Sequence, residues 1–258
     1  MPNWELGLVL SEDIVRQVHN AVCAVGILPV PLEDWLRRPR DYPLRVEGSG
    51  FLVRPNTVVT NRHVLDTAVA KAIADDISLT QLFVSFIAPS PTRGRIGTLR
   101  MIRRTHAPEG GTIDIALLEI KSDPEAHFED IGPLKVARAH SIAVSEDVLV
   151  CGYPYGNMLL EPEGRPFRFG PVLQQGYVSG LSPFAGSDAA QEILLDVRTA
   201  GGMSGSPVVR SSTGEVIGVH YEAMMDRTAI TTTAFALPLD AERVARWLAE
   251  FDDILRDA

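Results

Sequence analysis

His63, Asp114 and Ser204 are the residues whose types and order could carry acyl transfer. A serine hydroxyl is a poor nucleophile until a base takes its proton and a third group orients that base. Donors aimed at the developing oxyanion complete such a site. Ser204 lies in Gly201-Gly202-Met203-Ser204-Gly205-Ser206-Pro207. The two leading glycines open backbone conformations closed to other residues. The N–H groups of Gly202 and Ser204 can then point at one spot as an oxyanion hole. A plain glycine turn between strands explains the glycines but not the Ser-Gly-Ser-Pro that follows.

His63 belongs to Val58-Val59-Thr60-Asn61-Arg62-His63-Val64. This is a β-branched strand running into a polar turn that delivers an imidazole at a strand end. An exposed loop histidine is the plainer alternative. Asp114 sits in Thr112-Ile113-Asp114-Ile115-Ala116-Leu117-Leu118. An acid within an apolar run is costly to bury unless a partner such as an imidazole N–H compensates it. The alternative is a surface acid at a strand edge. Asp66 is a rival for the same role, but it follows His63 closely and is expected to face solvent.

The elements that must position these residues read as short strands separated by Gly, Pro, Asn and Ser clusters. Candidates are Ala21–Leu28, Gly50–Val53, Thr57–Thr60, Leu82–Ile87, Ala116–Ile120, Val148–Gly152, Gln175–Ser179, Ile193–Asp196, Pro207–Val209 and Glu215–Val219. Helical signals lie at the two ends. Ser11-Glu12-Asp13 can cap a short helix carrying Ile14, Val15 and Val18. Asp240 can cap a longer one, whose Val244, Trp247, Leu248 and Phe251 share one face. Many strands with no regular helix between them point to antiparallel barrels or sandwiches. A division into two barrels falls near Asp123 to Pro133.

The 258 residues suffice for a well-buried core, and 45% hydrophobic with 22% charged residues is an ordinary globular composition. A net charge of -9 argues against nucleic-acid binding, which needs clustered cations. The basic Arg37-Arg38-Pro39-Arg40 lies among acids and reads as a solvated loop, with a partner contact as the alternative. No run approaches the length of a membrane helix. The N-terminus has neither the basic start nor the apolar run of a secretory signal, so a cytoplasmic location is expected. Cys23 and Cys151 sit in apolar runs and are expected to be buried free thiols. No Cys-x-x-Cys pair occurs and the histidines are scattered, so neither a metal nor a cofactor is expected.

GSGFLV (48–53), VVTNRHV (58–64), DIALLEI (114–120), VCGYPYG (150–156), GGMSGSPVV (201–209) and GEVIGVH (214–220) resemble the trypsin-like serine peptidases. The bacterial HtrA-type and glutamyl-endopeptidase-type branches are the nearest. The resemblance spans about Ala21 to Leu239 and keeps the order His, Asp, Ser, unlike subtilisin or α/β-hydrolases. It implies an all-β fold of two antiparallel six-stranded barrels with the triad in the cleft between them. Residues 1–20 would form an N-terminal helical extension and 240–258 a helix packed on the domain. It further implies His63 as general base, Asp114 as its orienting partner, Ser204 as nucleophile, and Gly202 and Ser204 as oxyanion donors. The activity expected is a serine endopeptidase acting on a protein or peptide, with a regulatory protein partner as a further expectation. A catalytically latent binding module on the same fold is the alternative. Small-ester hydrolysis is a third class, disfavoured because Ser206 breaks the Gly-x-Ser-x-Gly elbow.

Three positions qualify the resemblance. Met203 stands where the family usually has Asp or Asn, so activation by pairing that acid with a freed amino terminus is not expected. The oxyanion loop must then be held by packing, or be ordered by a partner or substrate. Thr199 and His220 match positions that bind an acidic side chain in glutamyl endopeptidases, and Arg198 adds a nearby cation if it points inward. These three are the candidate specificity pocket, against the plainer reading of ordinary strand sequence. No PDZ segment follows, unlike full-length HtrA proteins. His19, His106, His127 and His140 match no motif. Tyr153-Pro154-Tyr155 reads as a packed turn, and 157–171, with Pro162, Arg165 and Arg168, as a loop over the cleft.

Overall fold

A computed structural model describes residues 11–39, 41–90, 94–121, 131–138, 142–154, 170–183, 190–223 and 233–254. Its strands close into two antiparallel six-stranded barrels. The first comprises β1 (Val22–Ile27), β2 (Arg45–Arg54), β3 (Thr57–Thr60), β4 (Leu82–Ser90), β5 (Gly94–His106) and β6 (Ala116–Ile120), in the order β1-β2-β3-β6-β5-β4. The second comprises β7 (Asp147–Gly152), β8 (Val172–Ser182), β9 (Glu192–Asp196), β10 (Pro207–Arg210), β11 (Val216–Ala223) and β12 (Thr233–Pro238), in the order β10-β11-β12-β9-β8-β7. Pairing of β1 with β4 closes one barrel and pairing of β10 with β7 the other.

The period-2 alternation of strands sorts side chains into separate cores. In β1, Cys23, Val25 and Ile27 join Leu52, Val58, Val84, Phe86 and Leu118 inside the first barrel. The alternate residues Val22 and Ala24 join a cluster shared by both barrels, with Phe51, Phe83, Leu117, Leu149 and Cys151. All six residues of β1 are buried for that reason. The second barrel's interior holds Val148, Val150, Val178, Ile193, Leu195, Val208 and Ile217.

Helices expected only at the two chain ends also occur between strands. The terminal ones are α1 (Glu12–Ala21) and α4 (Ala241–Ile254); between strands lie α2 (Leu32–Arg37) and α3 (Arg62–Ala74). Helix α3 turns Val64, Leu65, Ala68 and Ala72 into the first barrel's core. Its apolar residues do not gather into one stripe, so the sequence carries no clear helical signature, and Asn61, at the N-cap, makes no cap hydrogen bond with its side chain. The Asn61 amide donates instead to the Asp114 carbonyl at 2.9 Å. Ser11 likewise occupies the N-cap of α1 without a side-chain cap. Asp240 does cap α4, accepting from Arg243 N–H at 2.8 Å, and Val244, Trp247 and Phe251 are buried on the shared cluster. Arg54 grips Asp252 through two bonds of 2.9 and 2.7 Å, tying α4 to the first barrel.

Strands β5 and β12 escape the sequence pattern. Arg100, Arg103 and Arg104 break the apolar alternation of β5, and β12 is short and carries two alanines. Arg37 and Arg38 are exposed and pair with Asp34 and Asp41, as a solvated segment should; Arg40 lies outside the described residues. So does most of the stretch expected to divide the barrels; β6 ends at Ile120 and β7 begins at Asp147. Cys23 and Cys151 are buried and form no disulfide, and burial pushes the Cys23 thiol well above its ordinary range. Among the described residues no helix is long and apolar enough to cross a membrane, and no three His, Cys, Asp or Glu gather to hold a metal.

Candidate active site

His63 is the second residue of α3 rather than the tip of a polar turn. The first N–H groups of a helix lack intrahelical acceptors. Asp114 supplies one, accepting from His63 N–H at 2.8 Å through Oδ1. Its other oxygen, Oδ2, meets His63 Nδ1 at 2.7 Å. Helix start and imidazole are therefore fixed by a single carboxylate. Asn61 holds the Asp114 carbonyl from the same side, and Arg62 donates to the Gly111 carbonyl just upstream. Asp114 is not embedded in the barrel wall: it precedes β6, and its side chain keeps 30% of its exposure. Two charge-assisted hydrogen bonds remove most of the penalty the apolar context implied. The rival Asp66 faces solvent and pairs with Arg62 at 3.3 Å.

Ser204 follows a tight turn from Ala200 to Met203, closed by Met203 N–H donating to the Ala200 carbonyl at 3.1 Å. Gly202 takes φ of 95° at the third position. A left-handed residue there is what a type II turn requires, and glycine meets it without strain. Among the described residues, no backbone hydrogen bond is made by the N–H of Gly202 or of Ser204. Met203 is buried in the second barrel's core, so packing rather than charge fixes the loop at that position. At Gly48 an added Cβ would lie 2.6 Å from Val64 and 3.0 Å from the Ser204 carbonyl. That glycine lets the histidine-bearing and serine-bearing segments approach.

The structure thus joins His63 to Asp114 but does not join Ser204 to His63. Ser204 Oγ donates to the Tyr221 carbonyl at 3.1 Å. Rotation about one Cα–Cβ bond would redirect it. Catalytic hydrogen bonds are often formed only once substrate is bound.

Of the pocket candidates, His220 is almost fully buried on β11, and neither ring nitrogen has a well-formed hydrogen bond. Burial lowers its pKa to about 4; the Met203 backbone opposes this shift and the nearby His63 adds to it. Thr199 is half-buried, and its Oγ1 is buried without a partner. Arg198 is exposed and does not share that enclosure. Tyr221 donates to Glu192 at 2.6 Å, and burial followed by this bond pushes its phenol well up. Sequence patterns gave no hint of Tyr221; Ser49 lies inside the GSGFLV motif, but nothing there marked its hydroxyl, which reaches the Gly202 carbonyl at 2.7 Å.

Two further histidines lie among the described residues. His106 stacks on Phe251, with ring centroids 5.7 Å apart, and His19 lies in α1. His127, His140, Tyr155 and residues 157–169 lie outside the described residues, whereas Tyr153 is buried as a packed turn should be.

Residues 48–219 match the family model of the trypsin-like peptidase domain. Over 223 residues the chain is 27% identical to a glutamyl endopeptidase of Staphylococcus epidermidis, covering 83% of this chain and 66% of that protein. Over 207 residues it is 28% identical to protease Do-like 4, mitochondrial, of Arabidopsis thaliana, covering 78% and 32%. The chain spans 66% or less of the length of these curated relatives. An inactive form of Rv3671c from M. tuberculosis H37Rv superposes with a TM-score of 0.55 at 19% identity, covering 93% of this chain and 91% of that one. Deg5 superposes with a TM-score of 0.55 at 21% identity, covering 91% and 90%. Two closed barrels, the spacing of the motifs and a family match across most of the chain lead to one placement: the chain belongs to the trypsin-like peptidase family.

Proposed function

We propose that the chain is a serine endopeptidase in which Ser204 is the nucleophile, His63 the general base and Asp114 its orienting partner. The observation that carries this reading is the double clamp of Asp114 on His63. With Nδ1–H given to the carboxylate, the Nε2 lone pair is the one left to act as base. Nε2 takes the Ser204 proton as Oγ bonds to the scissile carbonyl carbon. The N–H groups of Gly202 and Ser204 receive the oxyanion. The imidazolium then protonates the departing amine, and water, activated by the same nitrogen, hydrolyses the acyl-enzyme. Incubating the protein with a folded or denatured test protein and with a peptide library checks the reading. Fragments should appear with wild type and not with Ser204→Ala; equal cleavage by both would contradict it.

The proposal extends to specificity and control. The Thr199 hydroxyl, which has no partner among the described residues, and the His220 imidazole, whose ring nitrogens make no well-formed hydrogen bond there, support a preference for Glu or Asp at the cleaved residue, since a carboxylate can accept from both. Arg198 is exposed and adds at most a distant attraction. Library cleavage concentrated after Lys, Arg or large apolar residues would reject that preference. Engagement by substrate or a regulatory protein partner is proposed to release Ser204 from the Tyr221 carbonyl. That same bond favours a second reading, a latent binding module. In that case no cleavage appears under any condition.

A further inference from the structure

Ser49 sits on β2, in the first barrel, and is fully buried. Its hydroxyl donates to the Gly202 carbonyl at 2.7 Å and accepts from Tyr153 N–H at 2.9 Å. Its own N–H donates to the Ser204 carbonyl at 2.8 Å, and Thr60 Oγ1 donates to its carbonyl at 2.6 Å. One small residue of the first barrel thus holds both peptide carbonyls that flank Met203 in the second.

The carbonyls of the turn show what this achieves. Ala200 accepts from Met203 N–H, Gly202 from Ser49 Oγ, Met203 from Ser206 N–H and Ser204 from Ser49 N–H. From Ala200 to Ser204, every carbonyl but that of Gly201 is engaged by a donor of the fold. Peptide planes are rigid, so the Ser49 hydroxyl fixes the Gly202–Met203 plane, which lies between the plane carrying the Gly202 N–H and the plane carrying the Ser204 N–H, the latter held at its Met203 carbonyl by Ser206 N–H. The N–H groups of Gly202 and Ser204 are left without backbone acceptors. Room for the hydroxyl bridge is made by Gly152, where an added Cβ would lie 2.7 Å from Ser49 Oγ. Met203 brings no charge to the loop, so the Ser49 hydroxyl is the polar side chain that holds the Gly202 carbonyl.

We propose that Ser49 is a positioning residue: its hydroxyl locks the oxyanion turn open from the opposite barrel. The proposal rests on the peptidase reading. Orienting two amides matters in the transition state, where the oxyanion exists, and little for ground-state binding. Ser49→Ala should therefore slow the chemical step and leave reversible binding intact.

Saturable labelling with a fluorophosphonate probe tests this. The Ser204 Oγ–P bond forms, fluoride leaves and His63 takes the hydroxyl proton. Ser49→Ala should lower the maximal labelling rate about 10- to 100-fold, with the half-saturating probe concentration unchanged. Ser49→Cys, of nearly the same size but a weaker donor, should fall between. Thr60→Val is the control, removing a neighbouring buried hydroxyl that touches neither Gly202 nor Ser204. It should lower the melting temperature as Ser49→Ala does without slowing labelling. An unlabelled wild type would overturn the peptidase reading and this proposal with it. A labelled wild type with Ser49→Ala labelled equally fast, or with Thr60→Val slowed as much, would overturn this proposal alone.

Discussion

The two barrels contribute to the site in different ways. In the first, His63 and Asp114, the proposed base and its orienting partner, are joined: Asp114 binds His63 through backbone and imidazole, and Asn61 fastens the Asp114 carbonyl. In the second, the hydroxyl of the proposed nucleophile Ser204 points at the Tyr221 carbonyl, and among the described residues Thr199 Oγ1 has no partner while neither His220 ring nitrogen makes a well-formed hydrogen bond. The first half is held together by its own hydrogen bonds. The second is completed from outside, by Ser49 across the barrel interface and by whatever substrate enters. A preformed base costs no reorganisation at the moment of reaction, whereas an open acceptor-hungry pocket leaves the choice of substrate to its unpaired groups.

The largest expected effect breaks the closed half. Asp114→Asn keeps the shape but offers His63 Nδ1 a donor in place of one acceptor, favouring the wrong tautomer. Peptide hydrolysis should fall about 10⁴-fold, with little change in melting temperature. A fall of less than about tenfold would mean that the clamp is structural only.

Next in size is the pH response of the open half. His220 has a folded pKa of about 4 against an ordinary 6.5. The unfolded chain therefore takes up its proton first as pH falls. The stability this gives is fully present above pH 6.5 and is lost between 6.5 and 4, about 3 kcal/mol in all. Thermal unfolding at pH 7 and pH 4.5 should show that loss, and His220→Phe should flatten it. An unchanged slope in the variant would contradict the assignment. Glu109 also has a lowered pKa, through its bond to Arg243, but its contribution disappears only below the ordinary value of 4.5. The two windows are thus separable.

A smaller effect is expected at Thr199. Thr199→Val removes a hydroxyl while keeping the side-chain volume, and should cut discrimination for an acidic residue about tenfold without altering labelling by a small probe. The smallest concerns the fastening of the loop before Asp114. Arg243 donates to Glu109 at 2.9 and 3.1 Å and Trp247 adds a third bond at 3.1 Å. The pair is partly exposed, so Arg243→Ala should cost less than about 1 kcal/mol in denaturant unfolding.

Legibility followed the same division. Strands Thr57–Thr60 and Ala116–Ile120 read at their observed limits because both are short runs of β-branched and aliphatic residues, buried almost throughout. Helix α3 did not read as a helix, because its apolar residues do not gather into one stripe: Val64 and Leu65 are buried while Ile73 is exposed. His63 was found by its motif, yet the helix that carries it was not. In the second barrel the Gly-Gly-Met-Ser turn was legible from glycine chemistry. Ser49 was not, since its partner Gly202 lies 153 residues away and no local pattern encodes a contact at that separation. Arg198 is exposed on the segment after β9, whereas the Thr199 hydroxyl beside it is buried, a difference that sequence proximity does not reveal.

The most direct test of the central claim is intact-mass measurement after treatment with a fluorophosphonate, on wild type, His63→Ala and Ser204→Ala. A single adduct on wild type, placed on Ser204 by peptide mapping and absent from both variants, is the predicted result. An unmodified wild type, or an adduct that persists in Ser204→Ala, would contradict it.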